Sequence, residues 1–225
     1  MGRTAALIVI VAILACVSGC AHEPEGKRPA SELFEEGASL AREGKVEKAA
    51  EAFMKVRTYY PSDELARRAL LATADLYFDT GDYASALKSY QEYRLLYPTD
   101  AQAGYCLFRI GMCHFNQMST YDRDQTETNR AVTAFESFLA AYPSSPHVEM
   151  ARACLGEARA RLGQNMLSVG RFYLRKGNLE AACARFRAVR EKYPEAAPRD
   201  ELDELVARAC SSGPARADNP ADKRQ

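Results

Sequence analysis

Tryptophan is absent from this 225-residue chain, and histidine occurs only at positions 22, 114 and 147. Histidines so far apart build neither a catalytic triad nor a His-Glu-x-x-His zinc helix. No Cys-x-x-Cys pair occurs, so the thiolate spacing of a tetrahedral metal site is missing. Seven cysteines in 225 residues are also too sparse for a small disulfide-built scaffold. Excess charge is lacking too: 30 Lys and Arg balance 30 Asp and Glu, whereas nucleic-acid binders carry a basic excess or stripe. No cofactor and no metal are expected on these grounds. With 47% hydrophobic and 27% charged residues, the composition is that of a folded chain rather than a disordered one. The length suits one or two domains. Strand-like alternation is absent, and no apolar run approaches the ~20 residues of a membrane-spanning helix.

The longest apolar run is near the start. Residues 1–20 read MGRTAALIVIVAILACVSGC, in which Arg3 precedes 13 apolar residues from Ala5 to Val17, followed by small ones. That order is the layout of an export signal, predicted over residues 1–19. Gly2 does not make a myristoylation motif, because Ala6 stands where Ser or Thr is needed. Val17-Ser18-Gly19-Cys20 resembles the lipobox of bacterial lipoproteins. That resemblance implies that the Cys20 thiol takes a diacylglyceryl group and that its freed amine is then acylated. Two or three acyl chains, at ~0.8 kcal/mol per buried CH₂, would hold the chain on a membrane. Ala21 rather than Asp after the cysteine implies, by the same resemblance, the outer membrane. Residues 20–30 then form the lipidated cysteine and a short polar tether.

The rest of the chain repeats itself. Tyr-Pro recurs at Tyr60-Pro61, Tyr97-Pro98, Tyr142-Pro143 and Tyr193-Pro194. Leu33, Leu70 and Leu107 stand 37 apart, as do Gly44 and Gly81, Ala49 and Ala86, and Phe53 and Tyr90. Apolar residues at i, i+3, i+4 and i+7 make each unit a helix, a turn and a second helix closed by Pro. The units resemble the tetratricopeptide repeat. Its small helix-A position is matched by Gly37, Ala74, Gly111 and Gly170, and its helix-B alanine by Ala49, Ala86, Ala131 and Ala182. The large residue four further on is Phe53, Tyr90, Phe135 or Phe186, and Gly44, Gly81 and Gly177 sit at the turns. The predicted fold is all-α, a tetratricopeptide-repeat superhelix of about ten helices in about five pairs, over residues 31–209. The three residues beyond the usual 34 place an early start to helix A, with Ser62 or Asp63 as cap and Ser145-Pro146 opening a later unit. A long helix is predicted from His147 to Lys176, either continuous or broken near Gly163. A last amphipathic helix covers 198–209, and residues 210–225 read as a disordered tail.

By the repeat resemblance, groove-facing positions are Phe34 and Arg42 in the first unit, and Leu71, Asp75, Phe78 and Asp79 in the second. The third unit supplies Phe108, Met112, Phe115 and Asn116. The first three units are expected to hold an apolar peptide with aromatic side chains. The competing reading is inter-repeat core, most of all for Leu71. About eight extra residues between Gly111 and Ala131 form an insertion containing Tyr121, Asp122, Arg123, Asp124, Gln125 and Thr126. Cys106 and Cys113 share a helix face, but two turns separate them by ~10 Å, beyond disulfide reach. Cys106, Cys113, Cys154 and Cys183 read as small buried apolar side chains. A pairing of Cys154 with Cys183 or Cys210 stays open, as does the redox state of all five.

Lipobox, repeats, the Asp-Arg-Asp-Gln-Thr insertion and the long helix together resemble the BamD (ComL or YfiO-like) family of outer-membrane lipoproteins of the β-barrel assembly machinery. The resemblance implies a non-enzymatic scaffold, lipid-anchored and facing the periplasm. Residues 31–141 would receive unfolded outer-membrane β-barrel proteins, and residues 145–209 would dock a BamA-like barrel subunit. The alternatives are a pilus-assembly or Tol–Pal-associated repeat lipoprotein, from which the insertion discriminates, and a cell-wall enzyme, for which no nucleophile or acid–base pair stands out.

Overall fold

The computed structural model describes residues 28–211. The leader, Cys20, most of the tether and the tail beyond Ser211 lie outside the described residues. Among the described residues there are nine α-helices, one 3₁₀ turn and no strand. No helix among them is long and apolar enough to cross a membrane. The helices are α1 (Ala30–Arg42), α2 (Val46–Tyr59), α3 (Glu64–Asp79), α4 (Tyr83–Leu96) and α5 (Ala103–Asn116). They are followed by α6 (Thr126–Ala141), α7 (Val148–Arg175), α8 (Leu179–Lys192), the 3₁₀ turn Pro194–Ala196 and α9 (Arg199–Cys210). Cys210, expected to begin the tail, is instead the last residue of α9.

The local rules of the repeat are visible at each turn. Gly44, Gly81 and Gly177 have φ between 73° and 82°, the left-handed region that a side chain would penalise. At the other end of each second helix stands the tyrosine of a Tyr-Pro pair. Tyr60, Tyr97, Tyr142 and Tyr193 share φ near −130° and ψ near 55°, because the following proline excludes a helical conformation. Each donates its N–H to the carbonyl four residues back. The caps also recur. Asp82 and Asn178 accept from the N–H three residues on, at 3.0 Å each. Asp63 and Asp100, one repeat apart, accept from the N–H two residues on at 2.8 Å. Of the two caps predicted for the second repeat, Asp63 is thus the one used.

The chain divides into two compact units, one ending at Ala69 and the other beginning at Leu70, within α3. In the first, α1 and α2 form a hairpin around Leu33, Ala49, Ala52, Phe53 and Val56, all buried. A Cβ on Gly37 would lie 2.8 Å from the Phe53 ring, so the small residue is what lets the helices close.

The second unit is a run of overlapping apolar clusters. Leu70 and Ala74 of α3 pack with Ala86, Tyr90 and Tyr93 of α4 and with Cys106, Ile110 and Cys113 of α5. The other side of α5 gives Leu107 and Phe108 to a cluster with Ala131, Phe135 and Phe138 of α6 and Ala151 of α7. Burial on two sides explains why α5 is apolar nearly all round. The third cluster joins Leu167 of α7 to Ala182, Phe186 and Val189 of α8, to Ala196, and to Leu202, Val206 and Ala209 of α9. Gly111 against Phe135 and Gly170 against Phe186 repeat the small-to-large contact at 2.6 Å from a would-be Cβ.

Helix α7 is unbroken over 28 residues. Gly163 does not break it: a Cβ there would meet Ala196 at 2.3 Å and Tyr193 at 2.7 Å, so the glycine admits the 3₁₀ turn. The first half of α7 packs on α5 and α6, and the second half pairs with α8.

Candidate functional site

In the second unit, α3 and α5 bring the predicted groove residues around one side chain that the repeat pattern does not mark. Arg109 is the only formally charged residue of α5. Its guanidinium carbon sits 3.5 Å from the centre of the Phe78 ring, a cation–π contact. Its Nε donates to the Tyr90 hydroxyl at 3.0 Å, and a terminal nitrogen reaches Asp79 at 3.2 Å and Asp75 at 3.8 Å. Asp75 accepts from the hydroxyls of Tyr90 at 2.5 Å and Tyr105 at 2.8 Å. Burial, helped by the Asp75 carboxylate, pushes both tyrosines far above the usual phenol range, so they act here as donors. The expected groove residues Asp75, Phe78 and Asp79 are therefore joined in a network centred on Arg109. One face of Phe78 is covered by the guanidinium, and the Tyr83 ring packs in a T-shaped arrangement with centroids 5.3 Å apart.

Phe108 needs a correction. It was expected in the groove column, yet only 4% of it is exposed. It packs against Phe135 and Phe138 and stacks on His147 with centroids 4.7 Å apart. The reason is the double burial of α5: the face carrying Phe108 meets α6 and α7. Leu71 is half-buried against the α3–α5 cluster. Met112 and Phe115 are half-buried against the α5–α7 cluster, Phe115 lying edge-on to Phe135 at 6.3 Å. Asn116 and Asp79 are exposed. In the first unit, Phe34 packs on Phe53 at 5.4 Å with Arg68 4.9 Å above its ring, and Arg42 is exposed.

The insertion is an ordered connector between α5 and α6. Gln125 donates to the carbonyls of Thr120 at 2.8 Å and Arg123 at 2.9 Å, while Thr128 donates to its side-chain oxygen at 3.0 Å. Thr126 donates to Asp124 at 3.0 Å, and a hydrogen bond from Thr120 lowers the Asp122 carboxyl below its ordinary range. Helix α7 holds the loop from outside: Arg161 donates to the Ser119 carbonyl at 3.2 Å and Asn165 to that of Tyr121 at 2.6 Å. The Tyr121 side chain stays 46% exposed. It borders a cleft of ≈ 550 Å³ that is also lined by Arg171, Arg175, Pro198 and Glu201.

The cysteines divide differently from expectation. Cys183 is not a simple apolar side chain but is bonded to Cys210. Cys106 and Cys113 are free and buried, and burial pushes both thiols up to about 12, so they stay protonated at neutral pH. Cys154, also free, has its Sγ 3.8 Å from the Met112 sulfur. Among the described residues, no cluster of His, Cys, Asp and Glu has the arrangement of a metal site.

With this geometry in view, the relatives of the chain can be placed. Outer membrane protein assembly factor BamD of Caulobacter vibrioides is 30% identical over 198 residues, covering 85% of this chain and 65% of that protein. The chain thus spans slightly less than two thirds of that relative's length. The factor of the same name from Rickettsia prowazekii is 27% identical over 84% of this chain and 75% of its own length. That from Vibrio cholerae is 26% identical over 81% and 80%. The sequence profile of the YfiO family, described as an outer membrane lipoprotein, matches residues 26–219, which takes in every helix above. The chain belongs to this YfiO family of outer-membrane lipoproteins.

Proposed function

We propose that the chain is a non-enzymatic scaffold in outer-membrane protein assembly, anchored through Cys20 and facing the periplasm. The observation that carries this reading is the family match across the whole repeat region, together with relatives named as assembly factors. Residues 31–141 receive unfolded β-barrel clients, and residues 145–209 dock a BamA-like barrel subunit. In the client half, the exposed Asp79 and Asn116 and the half-buried Phe78 and Phe115 offer polar groups beside aromatic edges. Such a surface suits an extended segment whose apolar side chains alternate with backbone polar groups. In the docking half, Arg171 and Arg175 offer two cations in a cleft that Tyr121 of the insertion borders.

The test is affinity capture of the lipidated chain from solubilised outer membranes. Recovery of a large barrel protein with repeated periplasmic domains supports the proposal. Recovery of pilus or Tol components without that protein rejects it.

A further inference from the structure

Among the described residues of the second unit, the last element is a single short helix. Helix α9 has 12 residues, near the lower limit for a helix standing alone in water. Its buried side, Leu202, Val206 and Ala209, covers apolar surface of α7 and α8 that includes Leu167, Phe186 and Val189. Its opposite side, with Glu204, Ala207 and Arg208, is exposed. The polar ties to neighbouring helices lie in its first turns: Arg171 pairs with Glu201, and Arg190 with Asp203 at 3.0 Å. These side chains are between 41% and 50% exposed, where solvent screening leaves ion pairs weak. The last turn has a different tie. Cys210, the final residue of α9, is bonded to Cys183 in α8.

We infer that Cys183 and Cys210 form a maturation site, at which thiol–disulfide exchange latches α9 over the apolar surface of α7 and α8. In the exchange, one cysteine thiolate attacks a sulfur of a donor disulfide, forming a mixed disulfide and releasing one donor thiol. The second thiolate then attacks the chain's sulfur in that mixed disulfide, forming Cys183–Cys210 and releasing the second donor thiol. Two thiol protons are lost by the chain and gained by the donor's sulfurs. The cysteine pair is oxidised by two electrons and the donor disulfide is reduced by two. The donor is a protein or small-molecule disulfide of an oxidising compartment, an assignment that rests on residues 1–19 acting as an export leader.

The fold selects this pair among the five cysteines beyond residue 20. Cys183 and Cys210 are half-buried, within reach of solvent, and their Cα atoms are 5.1 Å apart, inside the range a disulfide spans. Cys106 and Cys113 are buried on one face of α5, held two turns apart. Cys154 lies in the first half of α7 against Met112, in a separate cluster. Once the pair is reduced, α9 is held by Leu202, Leu205, Val206 and Ala209 and by screened ion pairs, so it opens locally more often.

The experiment starts from the full chain isolated from membranes, alkylated with iodoacetamide under denaturing, non-reducing conditions and mapped by mass spectrometry. Cys183 and Cys210 are expected in one linked peptide, with Cys106, Cys113 and Cys154 alkylated. Alkylation of Cys183 and Cys210 in that material overturns the maturation site. Amide exchange is then compared between the native chain, the chain after phosphine reduction, and the double variant Cys183→Ser, Cys210→Ser. Residues 199–210 should exchange at least tenfold faster in the last two, with α5 and α6 unchanged. Equal exchange in α9 overturns the latch. A chain made without residues 1–19 should show six alkylated thiols, Cys20 among them. A linked peptide in that cytosolic chain overturns the compartment of the donor and leaves the scaffold proposal to its own test.

Discussion

At the scale of single residues, the fold turns on where a side chain is missing. Gly111 faces the Phe135 ring so closely that a Cβ would sit 2.6 Å away, while a Cβ on Gly156 in α7 would meet nothing within 4 Å. Gly111→Ala should therefore destabilise the chain by about 1–3 kcal/mol through overpacking. Gly156→Ala should stabilise it by about 0.5–1 kcal/mol, because a helix-interior glycine costs that much relative to alanine. Urea unfolding of the two variants checks both signs. This small-to-large register is legible in the sequence, since Gly37 with Phe53 and Ala74 with Tyr90 recur 37 residues apart. Arg109 is not legible that way. One repeat earlier the same position is Ala72, so the periodic pattern marks nothing there. The usable signal was a lone charge in an otherwise apolar helix. Phe108 failed for a related reason: a 37-residue column says which positions are equivalent, not which face α6 and α7 will cover. Phe115, half-buried at the edge of the cluster, remains the sharper probe. Phe115→Asp should weaken client binding in solution with helicity by circular dichroism retained; a collapse in helicity would place it in the core instead.

At the scale of elements, α7 shows how one helix takes two jobs. Its first half belongs with α5 and α6, and its second half with α8. The sequence shows that this stretch is long, but whether Gly163 interrupts it depends on Tyr193 and Ala196, which lie 30 or more residues away and close in space. Arg159 ties the surrounding elements together. It reaches Glu136 of α6 at 3.4 Å, Glu195 of the 3₁₀ turn at 2.8 Å and the Lys192 carbonyl at 2.6 Å. Arg159→Ala should cost about 1–2 kcal/mol, the value of charge-assisted hydrogen bonds on a partly exposed side chain. The loss should appear as faster amide exchange at residues 192–198, with α3 and α4 unaffected. The insertion follows the same logic. Its presence and length are plain in the sequence, whereas the grip of Arg161 and Asn165 on its backbone joins residues more than 40 positions apart. Pairing of Cys183 with Cys210 was likewise hidden, because α8 and α9 meet only once the 3₁₀ turn reverses the chain.

At the scale of the whole molecule, the repeats predict a helical-repeat fold, and residues 28–211 are all-helical. The proposed anchor stands on Cys20 alone. Cys20→Ser should leave an unlipidated precursor of higher mass, read on immunoblots of fractionated envelopes, and normal processing would remove the anchor. The central claim is that this chain assists barrel assembly by binding, not by catalysis. Its most direct measurement is depletion of the protein in its own cells, followed by quantification of folded, heat-modifiable barrel proteins in the outer membrane. The account predicts their loss, and their recovery when the wild-type chain is restored. Undiminished folded barrels after complete depletion would contradict it.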